Sequence, residues 1–213
     1  MADKLRKVGN LGLIGGRLCL DYANTVSTRT GPVHHEYLTS YADLLEWSRH
    51  AGTLADRDAQ QLGRQAARRP AEAAAVLKQA IAVRETIYRI FSAIAHQRAP
   101  AKADVATLNA ALAQALSRLR VLPSGESFEW QWVQDSRALD IMLWPVVRSA
   151  ADLLTSTDLR RVRQCARREG CDWLFVDTSK NQSRRWCSMS TCGSRAKARR
   201  YYQRQCAARC AKA

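Results

Sequence analysis

A cysteine-rich segment at residues 165–192 reads CARREGCDWLFVDTSKNQSRRWCSMSTC. Its four cysteines are Cys165, Cys171, Cys187 and Cys192. Four thiolates this close in sequence can complete the tetrahedral shell of one Zn²⁺, and a segment of about thirty residues needs such a cross-link to hold a fold. The spacing therefore predicts one structural zinc ion, with buried free thiols as the alternative.

The residues between the two cysteine pairs predict a β-hairpin. Residues 172–177 alternate like a strand, residues 178–182 supply a turn, and residues 183–186 return as the second strand. This hairpin would bring Cys171 and Cys187 side by side. A short helix capped by Thr157 is expected to carry Cys165 into the shell from one flank.

The region before Asp158 predicts a helical domain. Apolar residues recur at steps of three and four in its strongest helix, residues 71–97. A proline, Pro145, lies inside the last predicted helix and should kink it. The other predicted elements are helices over 41–51, 54–68, 102–119 and 136–154, and a β-hairpin whose arms 118–122 and 127–133 flank a turn.

The predicted fold class is therefore mainly α, in two parts. Residues 1–157 form an N-terminal helical domain with a small β-hairpin. Residues 158–213 form a small four-cysteine zinc finger, a β-hairpin followed by a helix.

Positive charge is concentrated in the C-terminal part. The net charge is +15, and residues 158–213 hold 15 Lys and Arg against 4 Asp and Glu, whereas the first 157 residues hold 19 against 15. This asymmetry predicts a polyanionic partner, and the predicted helix after Cys192 has no acidic residue to balance its charge. Nucleic acid is favoured over a solvated helix face, and the absence of an apolar helical face disfavours a membrane surface. The residues expected to contact the nucleic acid are Lys180, Arg184, Arg185, Arg195, Lys197, Arg199, Arg200 and Arg204.

Enzyme chemistry is not predicted. The glycine-rich run at residues 9–16 lacks the Lys and Ser/Thr of a phosphate-binding loop, and the four histidines form no H-E-x-x-H pattern. The N-terminus makes a poor signal peptide and no stretch approaches a membrane span, so we expect a cytoplasmic protein with reduced cysteines.

A polar cluster in the N-terminal part has two interpretations. Asp21, Asn24 and Thr25 lie within about one turn of a predicted helix, beside apolar residues. They either satisfy one another and nearby backbone groups, or they face a pocket for a small-molecule effector.

Two motifs together resemble the CGNR zinc-finger proteins of bacteria, which join an N-terminal ABATE domain to a C-terminal finger. The finger motif spans residues 165–193, and the ABATE motif comprises residues 15–25, GGRLCLDYANT, followed by the helix at 41–47. The name-giving motif reads Cys192-Gly193-Ser194-Arg195, with serine for the usual asparagine, and serine can still cap the following helix. The resemblance implies zinc binding by the four cysteines and a role in stress-related transcription.

The expected function is that of a zinc-finger transcription regulator that binds duplex DNA under the control of a small effector. A finger that binds RNA or another protein is the alternative. One finger buries little area, so a homodimer would raise the affinity for DNA.

Overall fold

A 26-residue helix, α4 (Pro70–Ala95), forms the centre of the helical part. The structure is a computed structural model that describes residues 7–29, 34–133, 138–167 and 170–210, with side chains described up to residue 206. Helix α4 confirms the prediction for residues 71–97. Pro70 occupies its first position, where the missing N–H would have no helical partner. Its buried side includes Val76, Val83 and Ile87.

In the described part of the chain before α4 there are a 3₁₀ helix (Val8–Asn10) and three α-helices, α1 (Leu18–Ala23), α2 (Tyr41–His50) and α3 (Asp56–Arg68). Helix α2 begins with a reciprocal cap, in which Ser40 Oγ accepts the N–H of Asp43 (3.1 Å) and Asp43 Oδ2 accepts the N–H of Ser40 (2.8 Å). It ends before Gly52, whose φ of +72° suits a glycine.

The remaining elements of the helical part are α5 (Lys102–Leu116), β1 (Leu119–Ser124), β2 (Ser127–Trp132) and α6 (Leu143–Leu154). Strands β1 and β2 form the predicted antiparallel hairpin, with a two-residue turn at Gly125 (φ +60°) and Glu126. The predicted kink at Pro145 is wrong. Helix α6 begins at Leu143, so Pro145 lies in the first turn, where its missing N–H breaks no helical bond. Part of the range predicted for this helix, residues 134–137, lies outside the described residues.

The C-terminal part contains a 3₁₀ helix (Thr157–Arg161), β3 (Val162–Gln164), β4 (Leu174–Val176), a π-helical turn (Met189–Gly193) and α7 (Ser194–Cys210). Two predictions are wrong here. The short helix ends at Arg161 and is capped by Ser156, so Cys165 follows a strand. The partner of β4 is β3, with Val162 opposite Val176, and residues 183–186 form no strand.

The two parts share one hydrophobic core. Helices α1 and α4 pack against β3 and β4, and Leu174 and Phe175 are fully buried. The division at residues 157 and 158 stays a prediction, because the core is continuous across it. Among the described helices, none combines the length and the apolar character that a membrane crossing requires.

Candidate metal centre and cationic helix

Four cysteine sulfur atoms converge at one point of the C-terminal part. The Sγ atoms of Cys165, Cys171, Cys187 and Cys192 lie within 4.8 Å of one another, and all four residues are buried. The Sγ–Sγ distances are 3.6 Å from Cys171 to Cys187 and 3.5 Å from Cys187 to Cys192. A tetrahedron with Zn–S bonds of about 2.3 Å has an edge of about 3.8 Å. One structural Zn²⁺ therefore fits these four residues, as predicted.

The pairing of β3 with β4 brings the first two cysteines together. Cys165 directly follows β3, and its N–H donates to the carbonyl of Trp173 (2.9 Å). Cys171 lies two residues before Trp173, on the segment that leads into β4. The next N–H, of Ala166, donates to the carbonyl of Arg185 (2.8 Å) and so draws in the segment that carries Cys187.

The last cysteine lies in the π-helical turn. Ser188 holds the start of this turn, because its Oγ accepts the N–H of Thr191 (3.3 Å) and its carbonyl accepts the N–H of Gly193 (3.0 Å). A Cβ atom on Gly193 would lie 3.0 Å from the sulfur of Met189, so a larger residue at this position would require the exposed Met189 side chain to shift. Ser194 does not cap α7 as expected. It is itself helical (φ −64°, ψ −44°), and its Oγ donates to the carbonyl of Met189 (3.1 Å).

Crowding changes the acidity of the thiols. Hydrogen bonding to Cys171 lowers the pKa of Cys165 to about 7, whereas hydrogen bonding to Cys165 raises the pKa of both Cys171 and Cys187. Zinc is bound by thiolates, so metal binding must release the protons that Cys171 and Cys187 retain. Metal retention should therefore weaken as the pH falls.

Arg184 is turned towards the metal centre. Its guanidinium donates to the carbonyl groups of Trp186 (3.1 Å) and Cys187, and its Cζ lies 4.2 Å from the ring centre of Phe175. The backbone N–H of Arg184 donates to Asp177 Oδ2 (2.9 Å). These contacts bind the loop before Cys187 to β4, so Arg184 differs from the other basic residues that we expected at a nucleic-acid surface.

Asp177 organises the turn that follows β4. Its Oδ1 accepts hydrogen bonds from the N–H (2.9 Å) and the Oγ (2.6 Å) of Ser179. Burial raises the pKa of Asp177, but the hydrogen bonds from Ser179 and from the Arg184 N–H outweigh burial and lower it. The ionised carboxylate thus holds a loop whose backbone would otherwise lack partners.

Asn24 joins the helical part to the C-terminal part. Its Nδ2 donates to the carbonyl of Leu174 (2.8 Å), and its Oδ1 accepts the N–H of the same residue (2.8 Å). Asn24 thus pairs with β4 as a neighbouring strand would. Two further bonds lie beside it: the Trp173 Nε1–H donates to the carbonyl of Val26 (2.7 Å), and the Val176 N–H donates to the carbonyl of Gly15 (2.8 Å).

The other two residues of the predicted ligand cluster have local partners. Asp21 Oδ1 accepts the N–H of Gly15 (2.7 Å), and Thr25 Oγ1 donates to the carbonyl of Tyr22 (2.8 Å). Burial raises the pKa of Asp21 to about 6. These bonds satisfy the polar groups of the cluster, and a role in ligand binding stays a prediction.

A buried ion-pair network also joins the two parts, and the sequence analysis missed it. Arg29 bonds to Glu85 on α4 (2.6 Å) and faces Asp172, which follows Cys171; the Arg29 Nη1 to Asp172 Oδ1 distance is 3.7 Å. Arg84 bonds to both Glu85 (2.8 Å) and Glu36 (2.6 Å). Charged residues are this deeply buried only when paired. Because 143 residues separate Arg29 from Asp172, no local pattern could have identified the pair.

Basic residues cover an exposed helix directly after Cys192. From Ser194 to Cys206, every side chain of α7 is exposed except that of Ala196, which is partly buried. Lys180 and Arg185 are exposed on the loop before the π-helical turn. The exposed basic residues of α7 are Arg195, Lys197, Arg199, Arg200 and Arg204.

Two family profiles match the chain in order. The ABATE profile, described as "Putative stress-induced transcription regulator", matches residues 16–157, and the CGNR zinc finger profile matches residues 161–205. Neither family is an enzyme family. No curated protein matches the chain. Both matched segments contain the residues described above, with Asn24 in the first and all four cysteines in the second, and the chain belongs to the ABATE family with a CGNR zinc finger at its C-terminal end.

Proposed function

We propose that this protein is a cytoplasmic bacterial transcription regulator that binds duplex DNA through α7. The observation that carries this proposal is the exposure of a basic helix anchored at the metal centre. Helix α7 begins two residues after Cys192, so the position of its first turn depends on the zinc shell. A bound Zn²⁺ would cross-link the segments around that turn.

The composition of α7 suits a phosphate backbone. The chain from Gly193 to Ala213 has seven Lys and Arg and no acidic residue. Basic side chains lie on several sides of the helix, so one side can face a groove while others contact the flanking phosphates. A helix of this kind gains stability by binding a polyanion, because intrahelical ion pairs cannot offset its repulsion.

Arg185 and Lys180 extend the proposed surface beyond α7. The Arg185 Cζ lies 5.4 Å from the ring centre of Trp186, which keeps the exposed guanidinium beside the finger. We leave Arg184 out of the interface, because its guanidinium is already hydrogen-bonded to backbone carbonyl groups.

The salt dependence of DNA binding tests the proposal. Replacing Arg195, Arg199 and Arg200 by alanine should weaken binding and reduce the log–log salt slope by about 0.9 for each lost phosphate contact. The matched control loses three exposed arginines of α3, through Arg57→Ala, Arg64→Ala and Arg68→Ala. Equal slopes for the wild-type protein and the α7 variant in a gel-shift salt series would contradict the proposal.

The class of partner is tested separately. Duplex DNA, structured RNA and single strands should compete for the labelled duplex with different strengths, and the duplex should compete best. Stronger competition by RNA would favour the RNA-binding alternative. If the zinc-loaded protein binds none of these nucleic acids, that result would favour a finger that binds another protein.

Control of DNA binding by a small effector is proposed in addition. A small molecule bound near Asp21, Asn24 or Thr25 could act on the finger through the hydrogen bonds between Asn24 and Leu174. It would do so if the protein had two conformations that differ at these hydrogen bonds and the molecule bound one of them more tightly. A thermal-shift screen of metabolites tests this part. Compounds that raise the melting temperature should also change DNA affinity, and a screen without any such compound would count against effector control.

A further inference from the structure

The hairpin formed by β1 and β2 carries an apolar stripe into solvent. Directly opposed residues of an antiparallel pair share one face. The pairs on one face of this hairpin are Leu119–Trp132, Val121–Trp130 and Pro123–Phe128. At the root the stripe joins the core, since Leu119 is buried and the ring of Trp132 lies 5.9 Å from that of Trp144. Towards the tip it is uncovered: Phe128 is 72% exposed and Trp130 is 60% exposed.

Such an arm is unfavourable in water on its own. An isolated two-stranded hairpin is marginally stable, because each strand has only one partner. Soluble monomers expose scattered apolar side chains, whereas contiguous apolar patches mark interaction sites. The exposed pair of aromatic rings on this hairpin therefore indicates a surface that another molecule covers.

A cleft at the root of the same arm has the complementary character. Its volume is about 460 Å³, and its lining includes the apolar residues Trp132 and Pro145, the basic residues Arg17 and Arg148, and one acidic residue, Asp152, so basic residues outnumber acidic ones. The tip of the arm carries the opposite charge, with Glu126 in the turn and Glu129 on β2. The six residues of a strand span about 20 Å, so the tip cannot fold back into the cleft at its own root.

We propose that two copies of the chain associate through reciprocal arms. Phe128 of each copy enters the cleft of the other, and Glu126 faces Arg148. Two hairpins that lie antiparallel side by side place each tip at the root of the other, so one two-fold axis satisfies both contacts. Arg148 can accept this contact, because its side chain is 35% exposed and its 3.8 Å distance to Asp152 is longer than a hydrogen bond.

The area available is sufficient for a weak dimer. At about 200 Å² for a whole aromatic side chain, the exposed fractions of Phe128 and Trp130 leave roughly 260 Å² to cover on each arm. Two arms then contribute about 520 Å², and an equal area of the receiving surfaces, which are the cleft and its surroundings, would bring the total to about 1,000 Å², at the lower end of specific interfaces. We therefore expect a dimer that dissociates in the micromolar range.

Sedimentation velocity of the full chain tests the proposal without DNA, so its outcome does not depend on the proposed function. Between about 1 and 100 µM, a range that brackets micromolar dissociation, the wild-type protein should shift from monomer to dimer. The variant F128S/W130S should stay monomeric over this range. The matched control is Y201S/Y202S, which removes two aromatic side chains of α7 that are 60% and 67% exposed and should leave the dimer intact. A wild-type protein that is monomeric throughout, or a dimer that only the α7 variant disrupts, would overturn the proposal.

A charge exchange tests the contact itself and does not depend on losing apolar surface. Glu126→Arg and Arg148→Glu should each weaken self-association by about tenfold or more, because each puts like charges together at both contacts. An equimolar mixture of the two variants should associate as the wild-type protein does, because in the mixed dimer both contacts join opposite charges. Two variants that stay monomeric when mixed, or that still dimerise separately, would overturn the assignment of the cleft.

Discussion

Replacing Asn24 by alanine should loosen the contact between the two parts without touching a zinc ligand. Both hydrogen bonds of the side chain go to the backbone of Leu174, at 2.8 Å each. Asn24 is 2% exposed and Leu174 is 0% exposed. Alanine would therefore leave one N–H and one carbonyl group of β4 buried without their partners.

The structure sets the size of the effect. A buried backbone group that loses its partner costs about 1–3 kcal/mol, so the two groups should lower the free energy of unfolding by about 2–6 kcal/mol. The total for a domain is about 5–15 kcal/mol, so this is a large fraction. Asn24→Asp should be no better tolerated, because it places a carboxylate against the Leu174 carbonyl in a buried position.

Urea unfolding followed by tryptophan fluorescence measures this loss, and hydrogen exchange at the Leu174 amide locates it. The control is Asn109→Ala, an exposed position on α5, where the change should stay within about 0.5 kcal/mol. The zinc content of both variants should equal that of the wild-type protein. A loss of less than about 0.5 kcal/mol for Asn24→Ala, with unchanged exchange at Leu174, would show that these two hydrogen bonds do not join the two parts.

Three further predictions concern the buried charges and the metal. Cys171→Ser should abolish stoichiometric zinc in the purified protein, because a serine hydroxyl is a poor zinc ligand, whereas Cys206→Ser, outside the shell, should retain one zinc per chain by metal analysis. Arg29→Met should lower the free energy of unfolding by about 3–5 kcal/mol, because it leaves the Asp172 carboxylate buried without a cation, whereas Glu85 keeps Arg84; an equal loss for exposed Arg64→Met in the same denaturation assay would contradict this. Burial raises the pKa of Asp21 from 3.8 to about 6, so its stabilising contribution is complete below pH 3.8 and is lost as the pH rises through 6. The free energy of unfolding of Asp21→Asn, relative to that of the wild-type protein, should therefore rise by at most about 3 kcal/mol from pH 4 to pH 7. If the difference in free energy between the two proteins did not depend on pH, the raised pKa of Asp21 would be contradicted.

Elements that depend on neighbouring residues could be predicted from the sequence alone. The three- and four-residue spacing of apolar side chains predicted α4, because a helix repeats every 3.6 residues. The alternation of Phe128 and Trp130 after a glycine turn predicted the first hairpin. The zinc shell was also predictable, because its four ligands fall within 28 residues and thiolates converge on one ion.

Periodicity also has limits, which the second hairpin illustrates. Residues 172–177 alternate as a strand should, but alternation does not specify which strand is the partner. Val162 is 1% exposed, and the packing of β3 on α4 brings it opposite β4, whereas residues 183–186 form the loop that Arg184 and Asp177 hold. The sequence suggested the nearer partner, and the tertiary core selected the other one.

The partners of the buried polar residues could be identified only from the folded protein. Asn24 contacts Leu174 across 150 residues of chain, and Arg29 faces Asp172 across 143. A buried polar group must find a partner, but any donor or acceptor that folding brings near can serve. The metal centre and the basic helix could therefore be predicted from local sequence patterns. The joining of the finger to the helical part arose from packing, because it depends on distances between residues that no local pattern relates.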